Sequence, residues 1–478
     1  MRTLLFLVIH LLILPILPIH SFFFNIPFSK KFNIKDQERN VKIKYKLPFF
    51  QQRIVNKMNG FYGIIGPDVN MTNVKTLFDL FIGDGNIQGV FFNNGELTYV
   101  KHFVQTDKLV YEEKNGRIPN DGMMNALFFF MSKVNLLPNL LGLANTAIMN
   151  VHDKSYALYE RDKPYLIDID FENKQIRTLE KMKNVQVNHF SAHSKFDSAN
   201  NRIHSIDYKI LTKTVTYHQL NDNLEPLLKI NIKTKYLPIV HDFYKIQNKI
   251  LVTDSPVVYD IQSLFKGEIP VKLDKNQNTI IHVLDLLEAN TKKRKNQIPQ
   301  MFKTNESFYL FHYADCKEDE NVIEIYASLY DELDFSQINI VGKYRKIVLN
   351  KRTKDAVIEK NEELEQMDLD FPIKFENKIV MRHLKDKIID GFVVCQDLRI
   401  IKKIYLKDRF CCGEPSISYI EGVPYLITLA FHFENTEQGY VILINMKNYN
   451  KIQIPIGEKL NIGFHSIFLE NCHPVMNK

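Results

Sequence analysis

From about residue 60 onward the chain reads as strand, tight turn, strand, over and over, and no long helical period interrupts it. The stretch "IQGVFFNNGELTYVKHFV" (87–104) alternates apolar and polar residues on both arms of a hairpin across Asn93-Asn94-Gly95, as a half-buried β pair requires. The same texture returns in "HSIDYKILTKTVTYHQL" (204–220), "KILVTDSPVVYDI" (249–261), "NVIEIYASLYDEL" (321–333) and "ISYIEGVPYLITLAFHFENTEQGYVILINM" (417–446). Sustained 3.6-residue periodicity is scarce, so the expected fold is all-β. Short strands joined by Asn/Asp/Gly turns, with no Pro/Gly-rich linker between them, suit one closed array. A seven-bladed β-propeller uses about 60 residues per blade with its insertions, which this length accommodates. No WD-type repeat signature is visible.

Several classes are excluded. The 478 residues, 45% hydrophobic, supply a large core, and the charge of +7 is scattered among asparagines. The tightest basic run, "KKRK" at 292–295, lies in a polar stretch and reads as a solvated loop, so no nucleic-acid partner is expected; weak attraction to an anionic membrane surface is compatible with the charge. Five cysteines (Cys316, Cys395, Cys411, Cys412, Cys472) are too few and too irregular for a disulfide framework. They also lack the close spacing of structural zinc, so buried free thiols are expected.

Two segments depart from the strand texture. "MRTLLFLVIHLLILPILPIHS" (1–21) has Arg2, an apolar run and then Ser21, the layout of a signal peptide, with an uncleaved anchor as the alternative. Its roughly 15 apolar residues fall short of the roughly 20 a spanning helix needs. The expected location is therefore the secretory pathway or the exterior, with a cytoplasmic membrane-associated protein as runner-up. Sequons at Asn70 and Asn305 are compatible with that route. The second segment, "MMNALFFFMSKVNLLPNLLGL" (123–143), is intensely apolar but broken by Lys133 and Pro138. It reads either as a buried helix or as a patch, carried by Phe128, Phe129, Phe130, Leu136, Leu137 and Leu140, that dips into one leaflet.

Of the fifteen histidines, most sit in polar or mixed contexts. Four stand out: His193 in "SAHSK", His241 in "VHDF", His312 in "LFHYAD" and His465 in "GFHSI". They are too far apart for one local motif, but a propeller brings its innermost strands to one axis, where ligands from different blades meet. Imidazole suits iron, zinc, copper and nickel, so residue type alone does not choose the metal.

At these residues the chain resembles the carotenoid cleavage oxygenase family, which includes the retinoid isomerohydrolase of the visual cycle and stilbene-cleaving enzymes. The likeness runs from about residue 60 to 470 in ordered blocks: "GIIGPD", "GDGNIQGVFF", "ANTAIMNVHDKSYALYE", "SAHSKFD", "PIVHDF", "FHYADCKED", "GEPSI" and "IGFHSIF". It implies a single domain over residues 22–478, a seven-bladed propeller with a helical and loop cap over an axial Fe(II). His193, His241, His312 and His465 fall on the family's ligand positions. Glu160 and Glu414 match two of the three carboxylates that orient those ligands, and Asp370 in "LDFPIKF" stands where the family usually has glutamate. Aspartate is one methylene shorter, so its bond to the histidine is expected to run through water or to need a backbone shift. Ser194 for proline, Asp315 for asparagine and Gln88 for histidine are further departures. Residues 123–143 occupy the family's membrane-contacting place. The implied activity is oxygen-dependent cleavage of a carotenoid or apocarotenoid double bond to two carbonyl products, by an enzyme seated on a membrane surface. The alternatives are isomerohydrolase chemistry with iron as a Lewis acid, and a non-catalytic propeller that binds an apolar ligand.

Overall fold

The computed structural model describes residues 33–69, 74, 76–118, 142–160, 162–260, 271–287, 298–335, 340–386 and 388–471. The leader 1–21, the run 292–295, Asn70, Cys472 and residues 123–141 of the apolar segment, with Phe128, Phe129, Phe130, Leu136, Leu137 and Leu140, lie outside the described residues. Among the described residues, no helix is long and apolar enough to cross a membrane.

The expectation of an all-β chain holds. The hairpin around Asn94 illustrates why the sequence folds locally as it does. Asn93 pairs with Glu96, leaving Asn94 and Gly95 as a two-residue loop with φ of 48° and 93°. Positive φ at both positions gives a turn whose twist matches that of the strands, and Asn-Gly tolerates it best. The strand before this turn, Asp84–Asn93, is buried along nearly its whole length, because sheets cover it on both faces.

The sheets follow one another in chain order as antiparallel meanders: 147–181, 195–233, 368–405 and 409–455. The sheet that closes the array holds both ends of the described chain. Ser466–Glu470 pairs with Asn59–Asp68 beside Asp84–Asn93, Glu96–Phe103 and Arg39–Ile43. There is no single central core. Apolar clusters sit between successive sheets, for example Met149, Tyr156 and Leu158 against Ile203 and Leu220. Another joins Ile427, Leu429 and Val441 of the last meander to Tyr62, Val90 and Tyr99 of the closing sheet, so the cycle returns to its start. This is a propeller-like arrangement.

The blade count is a correction. Seven separate blades were expected, whereas five discrete sheets of four or five strands are seen. Eight of the ten strands between Tyr244 and Glu359 run together as one sheet, and the other two, Val257–Tyr259 and Val271–Leu273, pair as a separate hairpin. The reason is a short parallel contact: Lys303 pairs with Asp355 and Thr304 with Ala356, which fuses two antiparallel meanders edge to edge. The expected helical and loop cap is not established by the described residues. Among the described residues the short helix Leu77–Phe81, opened by a Thr76–Asp79 capping box, presents Leu77, Leu80 and Phe81 to the central cavity.

Candidate metal centre

The four histidines meet. His193 precedes the short strand Lys195–Asp197, His241 lies on the segment before Tyr244–Ile246, His312 sits inside Tyr309–Glu318, and His465 immediately precedes Ser466–Glu470. One nitrogen from each falls in a group whose members all lie within 4.8 Å of one another, and it is the one such group among the described residues. His193 Nε2 and His241 Nε2 are 2.9 Å apart.

Local backbone places each ligand. The strand bearing His312 slips register between Leu310 and Tyr313, a bulge that turns the imidazole to the axis. Ser194 Oγ donates to Ser191 O and bonds Ser205 Oγ, both at 2.8 Å, so hydrogen bonds hold the His193 loop that a proline would have stiffened. Asp242 accepts from the N–H groups of Phe243 and Tyr313 and from Lys195 Nζ, tying the His193, His241 and His312 segments together. Gln88 grips Asn461, accepting from its N–H at 3.0 Å and donating to its carbonyl, which fixes the run leading to His465. Asp315 instead takes Lys374 and Tyr244 and stays off the axis. Glycine is required where the Glu414 and His465 segments touch: a Cβ on Gly413 would lie 2.2 Å from Gly463 O.

Three carboxylates stand behind three of the histidines. His241 Nδ1 meets Glu160 Oε1, His312 Nδ1 donates to Asp370 Oδ1 at 2.9 Å, and His465 Nδ1 lies 3.2 Å from Glu414 Oε1. Asp370 reaches its histidine directly, so no bridging water is needed. The backbone does depart from regular pairing there: register slips between Asp370 and Ile373, and Phe371 has φ 53°. With the Nδ1 proton held by a carboxylate, each Nε2 turns a lone pair inward. Converging lone pairs repel unless a cation lies among them, and His312 Nε2 is indeed buried with no partner. The donor set therefore fits a divalent metal bound by four neutral imidazoles.

The shifts of His193 and His312 favour the neutral ring, whereas that of His241 runs the other way. Burial, and then the neighbouring His241, His465 and His312, push His193 well below the usual imidazole range. His312 is also lowered, burial outweighing Asp370. Burial pulls His241 down too, but the Glu160 carboxylate more than offsets it and the net shift is upward. Burial raises Asp370, but His312, Arg382 and Tyr330 together hold it at about 2.

The centre opens on a cavity of about 1070 Å³ with aromatic and aliphatic walls, among them Tyr309, Phe311, Phe371, Phe81 and Phe464. The other buried histidines are engaged elsewhere: His102 with Thr178, His204 with Tyr217, His218 beside Asp207, His282 with Asp254 and His383 with Asp390. All four described cysteines are free and buried, as expected. Three residues escaped sequence reasoning. Phe371 lays its ring 4.9 Å from both His312 and His465, Tyr330 donates its hydroxyl to Asp370, and Arg382 sits over the Phe371 ring at 4.6 Å. An arginine directly after the apolar run Ile379-Val380-Met381 in "KIVMRHLK" was the one signal available.

Residues 53–470 match the family model of the retinal pigment epithelial membrane protein. The chain is 24% identical to carotenoid 9,10(9',10')-cleavage dioxygenase 1 of Phaseolus vulgaris, over 86% of this chain and 84% of that protein. It is likewise 24% identical to the Arabidopsis thaliana protein of the same name, with the same coverage. Among solved structures, the lignostilbene dioxygenase of Pseudomonas brassicacearum superposes with a TM-score of 0.72 at 15% identity, covering 93% of this chain and 97% of that one. The cobalt-substituted Synechocystis ACO does so with a TM-score of 0.70 at 15% identity and the same coverage. At such identities these likenesses show the fold.

Proposed function

We propose, starting from the fact that this chain belongs to the retinal pigment epithelial membrane protein family of carotenoid cleavage oxygenases, that it is an Fe(II)-dependent dioxygenase cleaving a carbon–carbon double bond of a carotenoid or apocarotenoid. The observation that carries this is the four-histidine cluster, backed by three carboxylates, at the wall of a large apolar cavity. His193, His241, His312 and His465 would hold the iron, which supplies the redox chemistry for activating O₂. The chain's own residues do the rest. Glu160, Asp370 and Glu414 fix ring orientation and make their histidines better donors. Phe311 and Phe371 flank the ligands and offer flat apolar faces to a polyene, excluding water from its reacting carbons. One O₂ is consumed per double bond, and each product carbonyl takes one oxygen atom. No proton need be moved between substrate and protein, and the acids among the described cavity residues are engaged, Asp68 with Asn461, Glu160 with His241 and Asp370 with His312.

A carotenoid dissolves in bilayers, so the reading extends to a membrane surface that delivers it. That part rests on the sequence of residues 123–143 alone, as the secretory destination rests on residues 1–21. The test is aerobic incubation of iron-loaded protein with a panel of carotenoids and apocarotenoids under ¹⁸O₂, reading products by mass. Paired aldehyde or ketone products that carry the label are expected. Product formed equally without oxygen overturns the dioxygenase reading.

A further inference from the structure

Among the described residues the cavity wall carries three cations, Lys101, Arg382 and Lys459. Arg382 and Leu384, two residues apart on the strand Lys378–Lys385, both face the cavity, as strand alternation dictates. Phe371, Leu384, Ile388, Ile389 and Phe410 line the same cavity, and Asp370 stands opposite Arg382 across the strand pair. Its guanidinium lies over the Phe371 ring, and its Nε is buried without a hydrogen-bond partner. The other cations of the same wall are occupied: Lys101 donates to Asn461 and Lys459 pairs with Glu437.

Asp368 and Asp370 feel the charge of Arg382, but neither bonds to it directly. Asp370 spends one oxygen on His312 and the other on Tyr330. Asp368 accepts from the Gly342 N–H, and no hydrogen bond or ion pair joins either acid to Arg382 among the described residues. A half-buried, permanently charged group without a direct anionic partner is costly in an apolar wall. A planar fork of donors matches the two oxygens of a carboxylate, as it does those of a phosphate.

We propose that Arg382 receives a carboxylate carried by the substrate, making the preferred substrate an apocarotenoid acid or a comparable anionic polyene. This deepens the carotenoid-cleavage reading and rests on it. Phe371 links the two functions: its ring contacts His312 and His465 and also carries the Arg382 guanidinium. The acid group would thereby set how far the polyene advances along the cavity, and so which double bond meets the metal.

The matched probes are β-apo-8′-carotenoic acid and its ethyl ester, titrated anaerobically into iron-loaded protein and followed by the absorbance shift of the polyene. The acid should bind about tenfold or more tightly than the ester, the scale of one charge-assisted hydrogen bond. Arg382→Met should bring the two affinities together by weakening the acid alone, with iron content unchanged, and Arg382→Lys should keep part of the preference. An ester that binds as well as the acid in the native protein overturns the proposal while leaving the polyene reading intact. The same holds if Arg382→Met retains the preference. Binding of neither probe overturns both. The native ratio decides even if Arg382→Met fails to fold.

Discussion

Removing Asp370 tests whether its carboxylate supports the metal through His312 or is merely buried there. Asp370 is 2% exposed, accepts from His312 Nδ1 at 2.9 Å and takes the Tyr330 hydroxyl on its other oxygen. Asp370→Ala leaves both donors buried and unpaired, each costing about 1–3 kcal/mol. The fold should therefore lose roughly 2–6 kcal/mol less any relaxation, seen as a fall in the denaturant midpoint of the metal-free protein. Separately, His312 loses the partner that fixes its tautomer, and iron affinity should fall about 10–100-fold. Tyr330→Phe separates the two effects: it removes one of the unpaired donors but leaves the His312–Asp370 bond, so it should lower stability without a comparable loss of iron. Chelator competition gives the affinities, and turnover with a cleavable polyene gives activity. Asp370→Glu inserts a methylene where the bond is already direct, so it should retain iron while costing about 1–3 kcal/mol of stability. An Asp370→Ala protein with unchanged iron affinity would refute the argument, because His312 would then be oriented by something else.

Alanine at any one of His193, His241, His312 or His465 should abolish bound iron, read by elemental analysis, whereas His218→Ala, beside Asp207 and away from the cluster, should leave it intact. Gln88→Ala frees both backbone groups of Asn461 and should cost about 1–3 kcal/mol in thermal unfolding and weaken iron binding through His465. His204 is pushed down to about 4 by burial, with Lys245 adding to it, so the folded state keeps it neutral where the unfolded chain takes up a proton. Its contribution is complete above about pH 6.5 and is lost as pH falls from there towards 4, by at most about 3 kcal/mol, and His204→Gln should flatten that part of the pH–stability profile. Changing Phe128, Phe129 and Leu137 together to serine should release the protein from liposomes and slow cleavage of bilayer-dissolved carotenoid more than of detergent-delivered carotenoid; equal loss in both assays would make the segment core.

What was legible in the sequence follows from range. Alternation and turn chemistry are local, so the Asn94-Gly95 hairpin and the all-β class could be read from the chain itself. His241, His312 and His465 were legible because each sits at the edge of an apolar run, where an imidazole needs a reason to be, whereas His193, in the polar "SAHSK", was legible through the family resemblance. How the sheets join was not legible. The fusion that leaves five discrete blades depends on a two-residue parallel contact between Lys303–Thr304 and Asp355–Ala356, which no periodicity encodes. Phe371 was hidden for a sharper reason. The residue before a proline is ordinarily extended, yet Phe371 is left-handed at φ 53°. A non-glycine residue held there costs of order 1–3 kcal/mol unless its surroundings impose it.

Those surroundings show what the strain accomplishes. The register slip between Asp370 and Ile373 and the left-handed Phe371 belong to the same short stretch. Asp370 contacts His312 from one side of that stretch, while the Phe371 ring lies against His312 and His465 and under Arg382. A regular strand sends adjacent side chains to opposite faces, so it would not deliver both residues to one imidazole. The shorter aspartate and the irregular backbone are therefore read best as one solution: the backbone brings the carboxylate within direct reach, and the next residue becomes the wall between metal and substrate. Substitutions at Phe371 should accordingly move iron affinity and substrate preference together, whereas substitutions at Arg382 should move only the second.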